Sequence, residues 1–235
     1  MKKIITLIAI LLICSFQGSA SAQVMTLAEA RQAVKYEMGF DTSLFYPDSI
    51  IDWFLNQGAQ QIAKYGYAVE KQDTIARSAN TIQYALNSDL VKIKGVHLYQ
   101  EGLRRGYEAV DLIDIPAVGQ TVKEKMEAKS GYWYWGTRLT GVNIGFSPEP
   151  LGTDTVIVFY WAEANSLDAV TDTTLIPYGY HDLIITYAVG KLWERQGRQD
   201  RGAYYLSKFW QLLGQKAYDH LLKWEQQKIG QEVVK

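Results

Sequence analysis

Few residues in this chain have the type and spacing that covalent chemistry needs. The three histidines, His97, His181 and His220, stand far apart. None falls at a spacing that supplies a nucleophile or a second metal ligand, and all three read as surface or interface histidines. His181-Asp182 looks like a triad fragment without its nucleophile. It is better explained as the first turn of a helix, where an aspartate meets the positive end of the helix dipole. Glu149, Asp154 and Glu163 can be drawn as a glycosidase carboxylate pair, but a chain with 25 acidic residues offers many such pairs. The sequence contains no G-x-x-x-x-G-K-[ST], G-x-G-x-x-G, G-x-S-x-G or H-E-x-x-H. A single cysteine, Cys14, excludes a disulfide framework and a multi-cysteine zinc site. The expectation is a protein that is not an enzyme, with no catalytic residues, no cofactor and no metal.

Chemistry of recognition is better represented. Tyr132-Trp133-Tyr134-Trp135 precedes Gly136. In a strand the two tyrosines point one way and the two tryptophans the other. Such a segment suits a flat platform for sugar rings, an oligomer contact, or a two-sided buried strand with amphipathic rings at its edges. Tyr178 and Tyr180 flank Gly179 at a second aromatic corner. Lys191, Arg195, Arg198 and Arg201 bracket a turn near Gly197. That cluster complements a helix C-terminus, or meets an acidic partner or passing DNA. The interface candidates are therefore Tyr132, Trp133, Tyr134, Trp135, Tyr178, Tyr180, Arg195 and Arg198.

These side chains need a scaffold, and the composition supplies one. The chain has 235 residues, 48% hydrophobic and 21% charged, with 16 Tyr, 7 Trp and 7 Phe. That suits a globular fold with its own core. A net charge of −1 argues against a basic nucleic-acid glove. At the N-terminus, Lys2 and Lys3, the apolar run from Ile4 to Ile13 and Ala20-Ser21-Ala22 have the three parts of a signal peptide cleaved before Gln23. The alternative is a mis-called start, with the protein beginning at Met25. Cleavage would remove Lys2, Lys3 and the lone cysteine.

Beyond Gln23 the pattern runs helix, strand, helix. Thr26-Leu27-Ala28-Glu29 fits a capping box, and Leu27, Ala30, Val34 and Met38 follow at helical spacing until Gly39. Pro47 opens a second helix in its first turn. Ile51, Phe54, Leu55, Gly58, Ile62 and Ala63 are its buried stripe, and Gly66 ends it. Alternation at 81–86 and 91–99, and the apolar run 156–161, predict strands. The segment 117–130 suits a short helix or a projecting loop. Helices return at Pro177, break at Gly197 and continue to about Gln227. Leu206, Phe209, Trp210, Leu213, Ala217, Leu221 and Trp224 form the last stripe. The fold class is α+β: a four-helix core from 26–66 and 178–228 with a β-rich insertion at 67–177, in one domain over 23–235.

Over about residues 25–228 this order resembles the head–tail adaptor, or connector, proteins of tailed bacteriophages. The resemblance rests on the run Ile51-Asp52-Trp53-Phe54-Leu55-Asn56-Gln57-Gly58-Ala59 and on Ile82-Gln83-Tyr84-Ala85-Leu86 followed by Val91-Lys92-Ile93-Lys94-Gly95-Val96. It also rests on Tyr134-Trp135-Gly136, Ile144-Gly145-Phe146-Ser147-Pro148-Glu149-Pro150 and Val158-Phe159-Tyr160-Trp161. The most specific stretch is Ile176-Pro177-Tyr178-Gly179-Tyr180-His181-Asp182-Leu183-Ile184. Asn87 stands where a proline is more usual. The resemblance implies a homo-oligomeric ring, usually of twelve copies, that binds the portal protein on one side and tail proteins on the other. DNA would pass through it without sequence-specific binding. It further implies a place at the head–tail junction of the virion and brings no catalytic residues. A virion part needs no export signal, so the N-terminal segment departs from the family. Two other function classes stand beside this one: a secreted or periplasmic module binding glycan through Tyr132 to Trp135, and, formally, a hydrolase.

Overall fold

The computed structural model describes residues 24–39, 46–78, 81, 83–100, 103–109, 131–137, 141–147 and 155–232. The segments 1–22 and 117–130, for which a leader and a helix or loop were expected, lie outside the described residues.

Helix α1 (Leu27–Glu37) begins where the capping box places it. Thr26 Oγ1 accepts from the Glu29 amide at 3.2 Å, and Glu29 Oε2 accepts from the Thr26 amide at 2.8 Å. The remaining first-turn donors are satisfied from far along the chain. The Leu27 N–H donates to Asp172 O at 2.9 Å and the Ala28 N–H to Val170 O at 3.2 Å. A helix start normally leaves such donors to water; here a distant segment takes them. Leu27, Ala30 and Val34 are buried as their spacing predicts.

Helix α2 (Asp48–Gly66) buries Ile51, Phe54, Leu55, Gly58, Ile62 and Ala63, the expected stripe. Pro47 is the N-cap rather than a first-turn residue. Gly66 is the last helical residue rather than the stop, and Tyr67 takes the left-handed turn at φ 50°. The glycine is there for packing: a Cβ at Gly66 would stand 2.7 Å from Leu213 Cδ1. The Tyr67 ring lies 4.8 Å from the buried Trp161 ring, so aromatic contact accompanies the strained backbone.

Seven strands follow: β1 (Glu70–Ala76), β2 (Gln83–Ala85), β3 (Leu90–Gln100), β4 (Leu103–Ala109), β5 (Gly131–Thr137), β6 (Gly141–Ser147) and β7 (Thr155–Ala162). They form one sheet in the order β1-β7-β3-β4-β5-β6-β2. Its pairs are antiparallel except β4 with β5, which run parallel over Glu108↔Gly131 and Ala109↔Tyr132. The β3–β7 register shifts between Leu90 and Lys92 and again between Ile93 and Gly95, irregularities that bend a strand. Of the strand expected at 81–86, Gln83–Ala85 is strand, Leu86 lies past its end and residue 82 is outside the described residues. Its neighbour Thr81 is instead tied into a turn, with Tyr84 Oη donating to Thr81 O at 2.9 Å.

After β7, residues 163–177 form a strap without regular structure that crosses the helices. Asn56 of α2 grips it on both sides of one peptide position: Asn56 Nδ2 donates to Leu167 O at 3.1 Å and the Leu167 N–H donates to Asn56 Oδ1 at 2.8 Å. Gln60 Nε2 donates to Ala164 O at 2.8 Å. Thr26 and Thr173 form an antiparallel bridge, and the Thr174 N–H donates to Met25 O at 3.2 Å. The strap thus joins β7, α1 and α2.

A 3-10 turn (Tyr178–Tyr180) then leads into α3 (His181–Arg195), and Gly197 (φ 77°) separates α3 from α4 (Gln199–Glu232). Helix α3 packs on α1, α2 and α4. A Cβ at Gly58 would meet Ile184 O and Tyr187 at 3.2 Å, and one at Gly190 would meet Leu206 at 3.0 Å. The two glycines therefore let α2 and α4 approach α3 closely. Leu55, Ile62, Ile184, Leu192, Phe209 and Leu213 form the helical part of a core that continues into Val96, Val156, Val158 and Tyr160 of the sheet. Trp210 departs from the expected stripe. It is 46% exposed, while its neighbour Phe209 is fully buried. One residue is about 100° of helix rotation, which turns the Trp210 ring to the rim. There it meets Tyr65 edge-on at 5.6 Å.

Candidate interaction surface

The histidines go to three different environments. His181 is buried, whereas a surface or interface position was expected. Its Nε2 lies 2.9 Å from Ile176 O. A carbonyl only accepts, so this nitrogen carries the proton. His220 on α4 lies 3.0 Å from Glu70 Oε1, which also accepts from Lys94 Nζ at 2.8 Å. Burial works to raise the Glu70 carboxyl, but the bonds and charges of Lys94 and His220 outweigh it and hold the group below its ordinary range. His97 on β3 packs edge-on to Phe159 at 5.5 Å. Of the carboxylates, Glu149 and Asp154 lie outside the described residues. Among the described residues, no group of three or more His, Cys, Asp or Glu side chains is placed to hold a metal ion.

An open cleft of about 510 Å³ is lined by Lys71, Gln72, Asn87, Ser88, Asp89 and Tyr160. Four of these residues, Lys71, Asn87, Asp89 and Tyr160, bond to one another. Lys71 Nζ pairs with Asp89 Oδ2 at 2.6 Å, Asn87 Nδ2 donates to Tyr160 Oη at 3.2 Å, and Tyr160 Oη donates to Asp89 Oδ1 at 3.4 Å. Burial pushes the Tyr160 phenol up, which opposes its use as a base. This network ties β1, β3 and β7 together and leaves no activated nucleophile among its members.

The interface candidates separate by exposure. Tyr178 is 61% exposed and meets the His181 ring edge-on at 5.4 Å. Tyr180 is half-buried and packs against the core. Burial, and then Asp219, push its phenol up. Tyr180 is thus partly spent on the chain's own fold, whereas Tyr178 presents its ring outward. Arg195 and Arg198 are exposed at the α3–α4 turn. Trp193 was not singled out from the sequence, yet it organises this turn: the Arg201 guanidinium lies 4.8 Å and that of Arg198 6.0 Å from its ring. Lys191 is drawn away into a pair with Glu194 at 2.8 Å.

The segment Tyr132, Trp133, Tyr134 and Trp135 does form a strand, β5. Tyr132 pairs with Phe146 and Tyr134 with Ile144, while Trp133 and Trp135 pair with Gly145 and Asn143. The backbone alternation is as expected; the four side chains lie outside the described residues. The exposed aromatics Tyr204 and Tyr218 of α4 were also missed. They stand fourteen positions apart, which returns to nearly the same helix face. Their helical spacing alone could not tell an outward face from an inward one.

No helix among the described residues is long and apolar enough to cross a membrane. A search of the curated proteins found no match to the chain. The model of one protein family, described as SU10 adaptor protein, matches residues 25–228, a stretch that takes in α1, α2, the seven described strands, the strap, α3 and most of α4. By that match the chain belongs to the SU10 adaptor protein family, a family of phage head–tail adaptors.

Proposed function

We propose that this protein is the structural adaptor of a tailed phage or prophage particle, a ring-forming link between portal and tail that performs no catalysis. The observation that carries this reading is the family match over residues 25–228, which takes in helices, sheet and strap together rather than one segment. The geometry supports it in kind. The ionic groups of the open cleft are paired with one another, and the exposed side chains include tyrosines, tryptophans and arginines, the residues enriched where protein chains meet.

The helical part, 26–66 with 178–228, is the body of one domain over 23–235, and the β-rich part 67–177 is its insertion. Copies of the chain, twelve by family resemblance, form a ring at the head–tail junction of the virion, in contact with portal and tail proteins. DNA passes without sequence-specific contacts. Tyr178, Arg195 and Arg198 lie at contacts, and Tyr132 to Trp135 contribute others from the sheet. Residues 1–22 are either a leader removed before Gln23 or sequence upstream of a start at Met25. No observation favours glycan binding. The test is reconstitution with the purified portal protein, read by native mass spectrometry. A defined multimer bound to portal is expected; a chain that stays monomeric and ignores portal would refute the role.

A further inference from the structure

The surface charge of the helical part is divided between the two ends of α3. At the C-terminal end stand Arg195, Arg198 and Arg201, all exposed. Among the described residues, no side-chain hydrogen bond or ion pair engages any of the three guanidinium groups; those of Arg198 and Arg201 lie over the Trp193 ring. Their charged neighbours in sequence are the Lys191–Glu194 pair, which cancels, and Asp200. At the other end, Asp182 is exposed in the first turn of α3 and Asp168 on the strap, beside Asp219 of α4 and Lys216, whose Nζ lies 5.4 Å from the Tyr180 ring. The strap belongs to that end because its turn at Asp172 caps α1. From there the strap runs on to the start of α3, where Ile176 O accepts from the ring of His181, the neighbour of Asp182, at 2.9 Å. The two ends are separated by the 15 residues of α3, about 22 Å of helix.

We infer that the arginine turn at the end of α3, braced by Trp193, docks on the Asp168–Asp182 end of a second copy of this chain. The inference rests on the ring proposed above and names the contact that builds it. Exposed ion pairs usually contribute little because two long side chains must be ordered. Here the stack on Trp193 has already ordered two guanidinium groups, and their planar donors match carboxylates two at a time. A DNA backbone fits the same arginines less well. Phosphate binding spreads basic residues along a stripe, whereas these are confined to one turn that also holds Asp200. The two patches differ, so the contact is head-to-tail. It propagates from copy to copy and closes only as a ring.

The experiment uses two full-length variants, Arg198→Glu/Arg201→Glu and Asp168→Lys/Asp182→Lys, assembled alone and on portal. Each variant should melt like the parent and need about tenfold or more protein to assemble. Mixed one to one they should assemble again, because each reversed patch then faces its opposite. Parent-like assembly of the arginine variant, or no recovery on mixing, would overturn the contact and leave the ring reading intact. Normal assembly with lost affinity for duplex DNA would give the turn to nucleic acid instead. A parent that never self-associates would remove both.

Discussion

At the residue scale, neighbours on one helix can have opposite fates. Phe209 is fully buried and Trp210 is 46% exposed. Phe209→Ala should therefore cost about 3–5 kcal/mol through lost burial and a cavity in a packed core. Trp210→Ala should cost under about 1 kcal/mol, since its half-exposed ring meets Tyr65 and Phe209 only edge-on at the rim. Urea unfolding of both variants checks the contrast. The same reasoning separates the two tyrosines of the α3 corner: Tyr178→Ser should leave the melting temperature unchanged, while Tyr180→Ser should lower it. Sequence periodicity placed Phe209 and Trp210 on one stripe and could not resolve its edge. His181 was read as a surface or interface residue because its partner is a backbone carbonyl, and a carbonyl leaves no trace in side-chain spacing.

At the element scale, the strap is held by few but specific bonds. Asn56→Ala would leave both the Leu167 N–H and its C=O without their partner, and Leu167 is only 1% exposed. The expected loss is about 1–3 kcal/mol, measured by thermal unfolding, with faster hydrogen exchange at Leu167. The start of α1 makes stability pH-dependent. Hydrogen bonds from the Thr26 backbone and hydroxyl hold the Glu29 carboxyl below its ordinary range, and amides of Ala169 and Asp168 do the same for Asp172. A carboxyl depressed in the folded state adds stability above its unfolded pKa and loses it as pH falls through the folded one. Unfolding midpoints should therefore drop through the acid range. The Glu29→Gln/Asp172→Asn variant should show a shallower drop over the same range.

Elements differed in how legible they were. The amphipathic helices were readable because one side of each faces a common core. Strand β1 was not, because Glu-Lys-Gln-Asp-Thr-Ile-Ala at a sheet edge pairs on one side only and spends Glu70 and Lys71 on ion pairs instead of apolar burial. The strap has no period, so nothing local announced that it would join α1 to α2. Of the interaction surface, the basic turn was visible as a charge run; its brace, Trp193, became visible only once Arg201 folded back over it.

At the scale of the whole molecule, the described N-terminus is anchored from Met25 onward by Thr174 and the Thr26–Thr173 bridge. A chain beginning at Met25 should accordingly melt with one beginning at Gln23, and intact mass from the native source should match one of those two starts. Residues on α1, the strap, the turn and the sheet serve one purpose if the copies assemble. The most direct test is electron cryomicroscopy of the chain bound to its purified portal. A closed ring on the portal, with the arginine turn of each copy against the Asp168–Asp182 end of the next, is the predicted result. Isolated monomers beside a bare portal would contradict the adaptor role.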